Sequence, residues 1–140
     1  MNYLVFLDAG AGELEKILSG IKSMVLKEFD PSQHEKLPVR PGDGLFFLRN
    51  KDENALRVEA SVVRVLPVMK TLDDDLSRTL KEMQPRLQLT EDQFNYWSVK
   101  QQVLLVEFDR AHKIDVVHVA LRKIMDRSDW IPFEEFNLIT

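Results

Sequence analysis

The sequence of 140 residues contains no cysteine. This absence excludes disulfide bonds, thiolate catalysis and any zinc or iron–sulfur site that cysteine would ligate. The three histidines, His34, His112 and His118, are too scattered to form a metal-binding motif. No glycine-rich phosphate loop is present either, because Gly10 and Gly12 are not followed by the Lys-Ser/Thr pair that such a loop needs. We therefore expect neither a metal nor a cofactor.

Long apolar runs and an excess of positive charge are also missing. No apolar run approaches the ~20 residues that a membrane-spanning helix needs, so no membrane segment is predicted. The formal net charge of −4 disfavours nucleic-acid binding by bulk electrostatics, which depends on clustered Lys and Arg. A local basic groove stays compatible with the sequence, because the acidic run 73–75 is distant from Lys22 and Lys27. We expect a cytoplasmic protein. The sequence leaves the oligomeric state open and is compatible with a homodimer.

The pattern that is present is that of one α+β domain covering residues 1–140. Hydrophobic residues make up 44% of the chain, and the five glycines and six prolines form no low-complexity tract. The apolar run 3–7 predicts a buried strand. Leu14, Ile17 and Leu18 then recur at helical spacing, which predicts a helix over 11–19 with Gly20 at the C′ position.

A β-hairpin is predicted in the middle of the chain. Residues 22–29 are rich in strand-forming side chains, and the three prolines within 30–43 predict a loop that could line a site. Strand 44–49 is expected to pair antiparallel with strand 55–66 across a polar turn. The apolar positions of the second strand shift parity at Val63, which predicts a bulge in a sheet that curls towards a barrel.

The second half of the chain combines helices and strands. A helix is predicted over 71–84, ended by Pro85, and another over 91–98, where Thr90 and Gln93 form a capping box with Leu89 and Phe94 as a hydrophobic staple. Phe94 and Trp97 share a face that we expect to be mostly buried. Further strands are predicted over 102–108 and 114–121, and the apolar tail 130–133 is expected to pack on the core.

The segment Gly20-Ile21-Lys22-Ser23-Met24-Val25-Leu26-Lys27 resembles the signature of the ASCH family, whose usual pattern is Gly-x-Lys-x-x-Glu-x-Arg. The glycine and the first lysine match. Val25 stands where the family has an acid or, in its nucleoside-hydrolysing branch, a hydroxyl residue, and Lys27 replaces the arginine. The resemblance implies a PUA-like fold, a partly open β-barrel with flanking helices.

The resemblance also implies a cleft. Lys22 would face it and, in nucleoside-deacetylating members, would take part in catalysis, since partial burial lets a lysine act as a base. Ser23, Lys27 and Arg40 are the further ligand-binding candidates, although a regular strand would direct Lys22 and Lys27 to opposite sides. For each of these side chains, an ordinary surface role is the simpler interpretation. Tyr96, Trp97 and Trp130 could stack on bases, but core packing is the commoner use of such residues.

Three functions are compatible with these features. The first is an ASCH/PUA-like domain that binds RNA, a nucleotide or a modified nucleoside through a small basic cleft. The second is a hydrolase of the same fold with Lys22 as its base, which Val25 disfavours because valine can neither accept a proton nor attack a carbonyl. The third is a protein-interaction domain with a vestigial cleft.

Overall fold

The computed structural model describes residues 1–29, 38–50, 54–120 and 129–140. Six strands and three helices are formed there, with short 3₁₀ turns at Ala9–Ala11 and Phe136–Leu138. In chain order, the elements are β1 (Asn2–Phe6), α1 (Glu13–Leu18), β2 (Met24–Glu28), β3 (Gly44–Leu48), β4 (Ala55–Met69), α2 (Ser77–Leu87), α3 (Glu91–Ser98), β5 (Gln102–His118) and β6 (Trp130–Phe133). None of the helices in these ranges is long and apolar enough to cross a membrane.

The strands form one curled sheet in the order β2-β5-β4-β3-β1-β6. β1 runs parallel to β3, whereas every other neighbouring pair is antiparallel. The sheet is a half-barrel with helices beside it, so the predicted α+β class and partly open barrel are confirmed. The antiparallel pairing of β3 with β4 is confirmed as well.

Most strands are buried on both faces, because successive side chains enter different hydrophobic clusters. Leu45 and Phe47 of β3 belong to the main core, which α1 covers with Leu14 and Ile17. The neighbours Phe46 and Leu48 belong to a second cluster on the other face, near β6. A third cluster joins the outer face of β2 and β5 to α2 and α3. This alternation explains why the strands contain nearly unbroken apolar runs.

β4 and β5 are long strands whose pairing slips at three places, between Leu56 and Val58, between Glu59 and Ser61, and between Val62 and Arg64. The bulge predicted near Val63 therefore exists. β5 runs without interruption from Gln102 to His118, so the expectation of two separate strands over 102–108 and 114–121 was wrong. Residue 121 lies outside the described residues. The polar residues between the two predicted segments do not end the strand, and Arg110 among them has a left-handed φ of 56°.

The first helix and the tail are found where the sequence predicts them. α1 is shorter than expected at both ends, and Gly20 follows it with a φ of 85°, the left-handed conformation that a C′ glycine adopts. β6 pairs with β1 and buries Trp130, Ile131 and Phe133, so the tail packs on the core as predicted. Of the loop predicted over 30–43, residues 30–37 lie outside the described residues.

The second helix differs from its prediction at both ends. It begins at Ser77, because the Thr71 hydroxyl accepts from the Asp74 amide and the Asp75 carboxylate accepts from the Ser77 amide, so a turn precedes the helix. Leu72 is fully exposed. Pro85 lies within the last turn, and the helix continues to Leu87.

The third helix begins as predicted. The Gln93 amide donates to the Thr90 hydroxyl at 3.2 Å, and the Gln93 side chain accepts from the Thr90 amide at 3.0 Å, which completes the capping box. Leu89 and Phe94 belong to the same hydrophobic cluster, as a staple requires. Phe94 and Trp97 do pack towards the sheet, but both are only half-buried, less than expected.

Candidate functional site

A cleft of about 780 Å³ opens between the β1–α1 connection, β2, α3 and the start of β6. Its volume falls within the roughly 300–1,000 Å³ that is usual for small-molecule sites. The lining combines apolar strand residues with charged, amide and aromatic side chains. The polar and aromatic members are Phe6, Asp8, Glu13, Lys22, Lys27, Glu28, Asn50, Asp92, Gln93, Tyr96, Trp97, Asp129 and Trp130.

Lys22 belongs to the lining of this cleft, although only 1% of it is exposed. The left-handed Gly20 turns the chain after α1, and the Lys22 amide donates to the Lys16 carbonyl at 3.1 Å. The Nζ atom donates to the carbonyl of Leu87, the last residue of α2, and lies 3.6 Å from Oε1 of Glu13. Burial lowers the pKa of Lys22 to about 8, and the Glu13 carboxylate opposes part of that shift.

Glu13 is an acid of the cleft that no sequence pattern reveals. It is the first residue of α1, it is 9% exposed, and its Oε2 accepts from the Asp8 amide at 2.7 Å. One oxygen thus holds the β1–α1 connection while the other faces the Lys22 ammonium. In the sequence, Glu13 looks like an ordinary first-turn acid, and only the fold brings it to Lys22. Val25, at the position where the family pattern has an acid, is buried in the main core and also lines the cleft.

Two of the four predicted ligand-binding residues line the cleft. Lys22 and Lys27 do so together, because Lys22 precedes β2 and escapes the alternation of a regular strand. Ser23 lies outside the lining, and its backbone joins α2 to β5 by bonds to Arg86 and Phe108.

Arg40 also lies outside the lining. It is exposed in the turn before β3, where its amide donates to the Asp43 carboxylate at 2.9 Å. In the same turn, the Gly42 amide donates to the Val62 carbonyl of β4, so this turn packs against the β3–β4 pair. The role of Arg40 as a ligand contact stays a prediction.

Three aromatic residues of α3 and β6 also line the cleft. Tyr96 and Trp97 of α3 meet edge to face at 5.2 Å, and Trp130 lies at the start of β6. Core packing, the favoured interpretation, is confirmed for Trp130, which is 7% exposed in the main core, and for Trp97, which packs against the third cluster. Tyr96 is exposed, and all three side chains also line the cleft. The Nζ of Lys27 lies 5.6 Å from the centre of the Trp130 ring, and the Nζ of Lys100 lies 4.4 Å from that of Tyr96.

The charge of the cleft differs from the expected basic lining. Its described residues include five carboxylates and only two lysines, and both Lys22 and Glu28 are engaged in ion pairs. Within the described part of the chain, no group of three His, Asp or Glu side chains could hold a metal ion. The arrangement suits an aromatic ligand better than a highly charged anion.

No family model matches this chain, and no curated protein matches it. Solved structures do. A tyrosine-to-phenylalanine variant of ZmASCH from Zymomonas mobilis superposes with a TM-score of 0.68 at 10% identity, covering 96% of this chain and 91% of that one. A serine-to-alanine variant of the same protein gives 0.69 at 10% identity, with 96% and 89% covered.

A third ZmASCH structure from the same organism gives a TM-score of 0.59 at 10% identity, covering 84% of this chain and 73% of that one. The chain therefore has an ASCH-like fold. At such low identity, the similarity concerns the fold alone, and it leaves the segment from Gly20 to Lys27 as a sequence resemblance.

Proposed function

We propose that this chain is a binding domain for a nucleobase-containing ligand, RNA or a nucleoside, which enters the cleft between β2 and α3. The observation that carries the proposal is that Tyr96, Trp97 and Trp130 line one cleft together with Lys22, with Tyr96 as its exposed ring. Planar bases stack on aromatic side chains, and amide groups read base edges by hydrogen bonds. The side-chain amides of Asn50 and Gln93 lie in the same lining, and the Gln93 oxygen already accepts from the Thr90 amide.

The ASCH-like fold supports this proposal, because the family that the Gly20–Lys27 segment resembles includes members acting on nucleosides. The presence of the cleft favours this proposal over the protein-interaction alternative, although Lys22 itself is held in a buried ion pair with Glu13.

Thermal-shift and calorimetric titrations with nucleosides, nucleotides and short RNA test the proposal. Tyr96→Ala is the informative variant, because Tyr96 is 54% exposed and its loss should leave the fold intact. Stacking contributes about 1–3 kcal/mol per base, so the variant should bind about 5- to 150-fold more weakly. Val99→Ala is the matched control, since Val99 is exposed just after the same helix but lies outside the cleft. Binding that Tyr96→Ala leaves unchanged would refute the site.

Hydrolysis of an acylated nucleoside is a second candidate, favoured by the Glu13 carboxylate beside Lys22. The unprotonated Nζ of Lys22 would take a proton from water, and the oxygen would attack the acyl carbon. The carbon–nitrogen bond would then break as the ammonium returned its proton to the leaving amine. A pKa of about 8 provides some unprotonated amine near neutral pH.

Chromatography of acylated nucleosides incubated with the protein tests this candidate. If Lys22 is the base, product formation should rise with pH through about 8 and should be lost in Lys22→Met. Binding without any product would leave the binding proposal standing and would exclude the hydrolase for those substrates.

A further inference from the structure

Glu28 and Tyr96 join two elements that line the cleft, β2 and α3. The Tyr96 hydroxyl donates to Oε1 of Glu28 at 3.1 Å, and Nζ of Lys100 donates to the same oxygen at 2.8 Å. The Lys100 ammonium also lies over the Tyr96 ring, 4.4 Å from its centre. The three side chains therefore form one cluster, in which a single carboxylate oxygen holds both the ring and the cation above it.

The ionisation states within this cluster fix the direction of its bonds. The hydrogen bond from Lys100 holds the pKa of Glu28 below its ordinary value, and the same bond raises the pKa of Lys100. Glu28 is therefore a carboxylate at neutral pH, which can only accept, so the Tyr96 hydroxyl has to donate to it. Hydrogen bonds to an ionised acceptor are stronger than neutral ones.

Packing gives the Tyr96 ring limited support, because 54% of the residue is exposed. Exposed side chains change rotamer within picoseconds to nanoseconds. A ring that is already held in one orientation loses less freedom when a base stacks on it, which strengthens binding. The side chain of Glu28 is itself 62% exposed, so its ion pair with Lys100 contributes little to the stability of the whole fold.

We propose that Glu28 is a positioning residue for nucleobase binding, which holds the Tyr96 ring through the phenol hydroxyl in the orientation on which a base stacks. This inference rests on the proposed function, because it assumes that a base stacks on Tyr96. Glu28 acts through Tyr96 and needs no contact with the ligand. Lys100 lies over one face of the ring, so the base stacks on the other face.

The first test removes either end of the bond between Tyr96 and Glu28. Calorimetric titration with adenosine, guanosine, cytidine, uridine and short single-stranded RNA selects the probe that binds the wild type most tightly. Tyr96→Phe keeps the ring and removes the donor, and Glu28→Ala removes the acceptor. Each should weaken binding of that probe about 2- to 12-fold, which corresponds to the roughly 0.5–1.5 kcal/mol that immobilising a side chain costs. Glu28→Gln keeps an acceptor oxygen and should recover part of the affinity.

The second test is a double-mutant cycle, which separates positioning from direct contact with the ligand. If Glu28 acts only through the hydroxyl, Glu28→Ala should weaken the Tyr96→Phe variant no further. The urea midpoint should stay at the wild-type value in each variant, because the cluster is exposed. Glu82→Ala, which removes an exposed glutamate of α2 outside the cleft, is the control and should change neither the affinity nor the midpoint.

The outcomes separate this inference from the proposed function. If Tyr96→Ala weakens binding but Glu28→Ala does not, the positioning role is refuted and nucleobase binding stands. The same holds if Glu28→Ala weakens the Tyr96→Phe variant as much as it weakens the wild type. If none of the probes binds the wild type, or if Tyr96→Ala leaves binding unchanged, both proposals fail.

Discussion

The ammonium group of Lys22 stabilises the packing of two helices and also belongs to a residue that lines the cleft. It donates to the carbonyl that ends α2, it faces the first residue of α1, and it borders the cleft. Lys16 contributes a similar contact, because its Nζ donates to the Gln88 carbonyl at 3.0 Å. Cations at a helix C-terminus are favourable because the last carbonyls lack partners within the helix. A variant that removes Lys22 therefore changes stability as well as the site.

The lowered pKa of Lys22 predicts how stability depends on pH. Because its pKa is about 8 when folded and near 10.5 when unfolded, the unfolded chain binds more protons between these values. The free energy of unfolding should therefore rise with pH across this window. Relative to Lys22→Met, the wild type should gain roughly 2 kcal/mol from pH 7.5 to pH 9.5, measured by urea unfolding. A constant difference between the two proteins would show that Lys22 is not desolvated.

Replacing Glu13 by glutamine should destabilise the protein near neutral pH. Glutamine keeps an oxygen for the Asp8 amide but leaves the buried Lys22 ammonium without its charged partner. Breaking a buried ion pair costs about 3 kcal/mol, and part of this loss should disappear at high pH as Lys22 becomes neutral. Glu15→Gln is the control, because the pair of Glu15 with Arg49 is exposed and should contribute under about 1 kcal/mol. Equal losses in both variants would contradict the buried pair.

Among the elements, α3 has the most influence on the site, because it carries Tyr96 and Trp97 into the cleft. Thr90→Ala removes the hydroxyl that accepts from the Gln93 amide, so it should lower the free energy of unfolding by about 1 kcal/mol. Thr90→Ser keeps the hydroxyl and should lose only a small part of that. Chemical denaturation of both variants measures the difference, and an equal loss in both would mean that the capping box contributes nothing.

Elements whose signals are local could be predicted from the sequence, and those that depend on distant contacts could not. The capping box of α3 and the glycine after α1 involve neighbouring residues only. The start of α2 was missed because Leu72 fits the helical period, whereas local bonds at Thr71 and Asp75 hold a turn. β5 looked interrupted because its polar middle resembles a turn, yet pairing with β4 keeps it extended.

The residues of the site divide in the same way, into those that a local sequence pattern predicts and those that only distant contacts bring together. The resemblance of one short segment identified Lys22 and Lys27, which the fold does bring to one cleft. Glu13 was missed because its contact with Lys22 crosses α1 and the turn after it. The sequence named Tyr96, Trp97 and Trp130 but could not predict that they share one cleft, because Tyr96 and Trp130 lie far apart in the sequence and only the fold brings them together.

At the scale of the whole molecule, β6 secures the edge of the sheet that borders the cleft. Ile131 is 7% exposed, pairs with Leu4 of β1 and belongs to the second hydrophobic cluster. Ile131→Ala should therefore cost about 2–4 kcal/mol through lost burial and a residual cavity. Leu138→Ala, at a site 60% exposed, is the control and should change the free energy of unfolding little. Equal effects in thermal and urea unfolding would mean that β6 is not packed as described.

The position of β1 between β3 and β6 has a consequence for biosynthesis. Residues 2–5 pair with residues 130–133, so one edge of this apolar strand has no sheet partner until almost the whole segment has left the ribosome. At ~5–20 residues per second, that interval lasts several seconds or more. An unpaired apolar strand edge can pair with other chains, and contacts this distant in sequence form slowly. The nascent chain is therefore most prone to aggregation, and most dependent on chaperones, before β6 emerges.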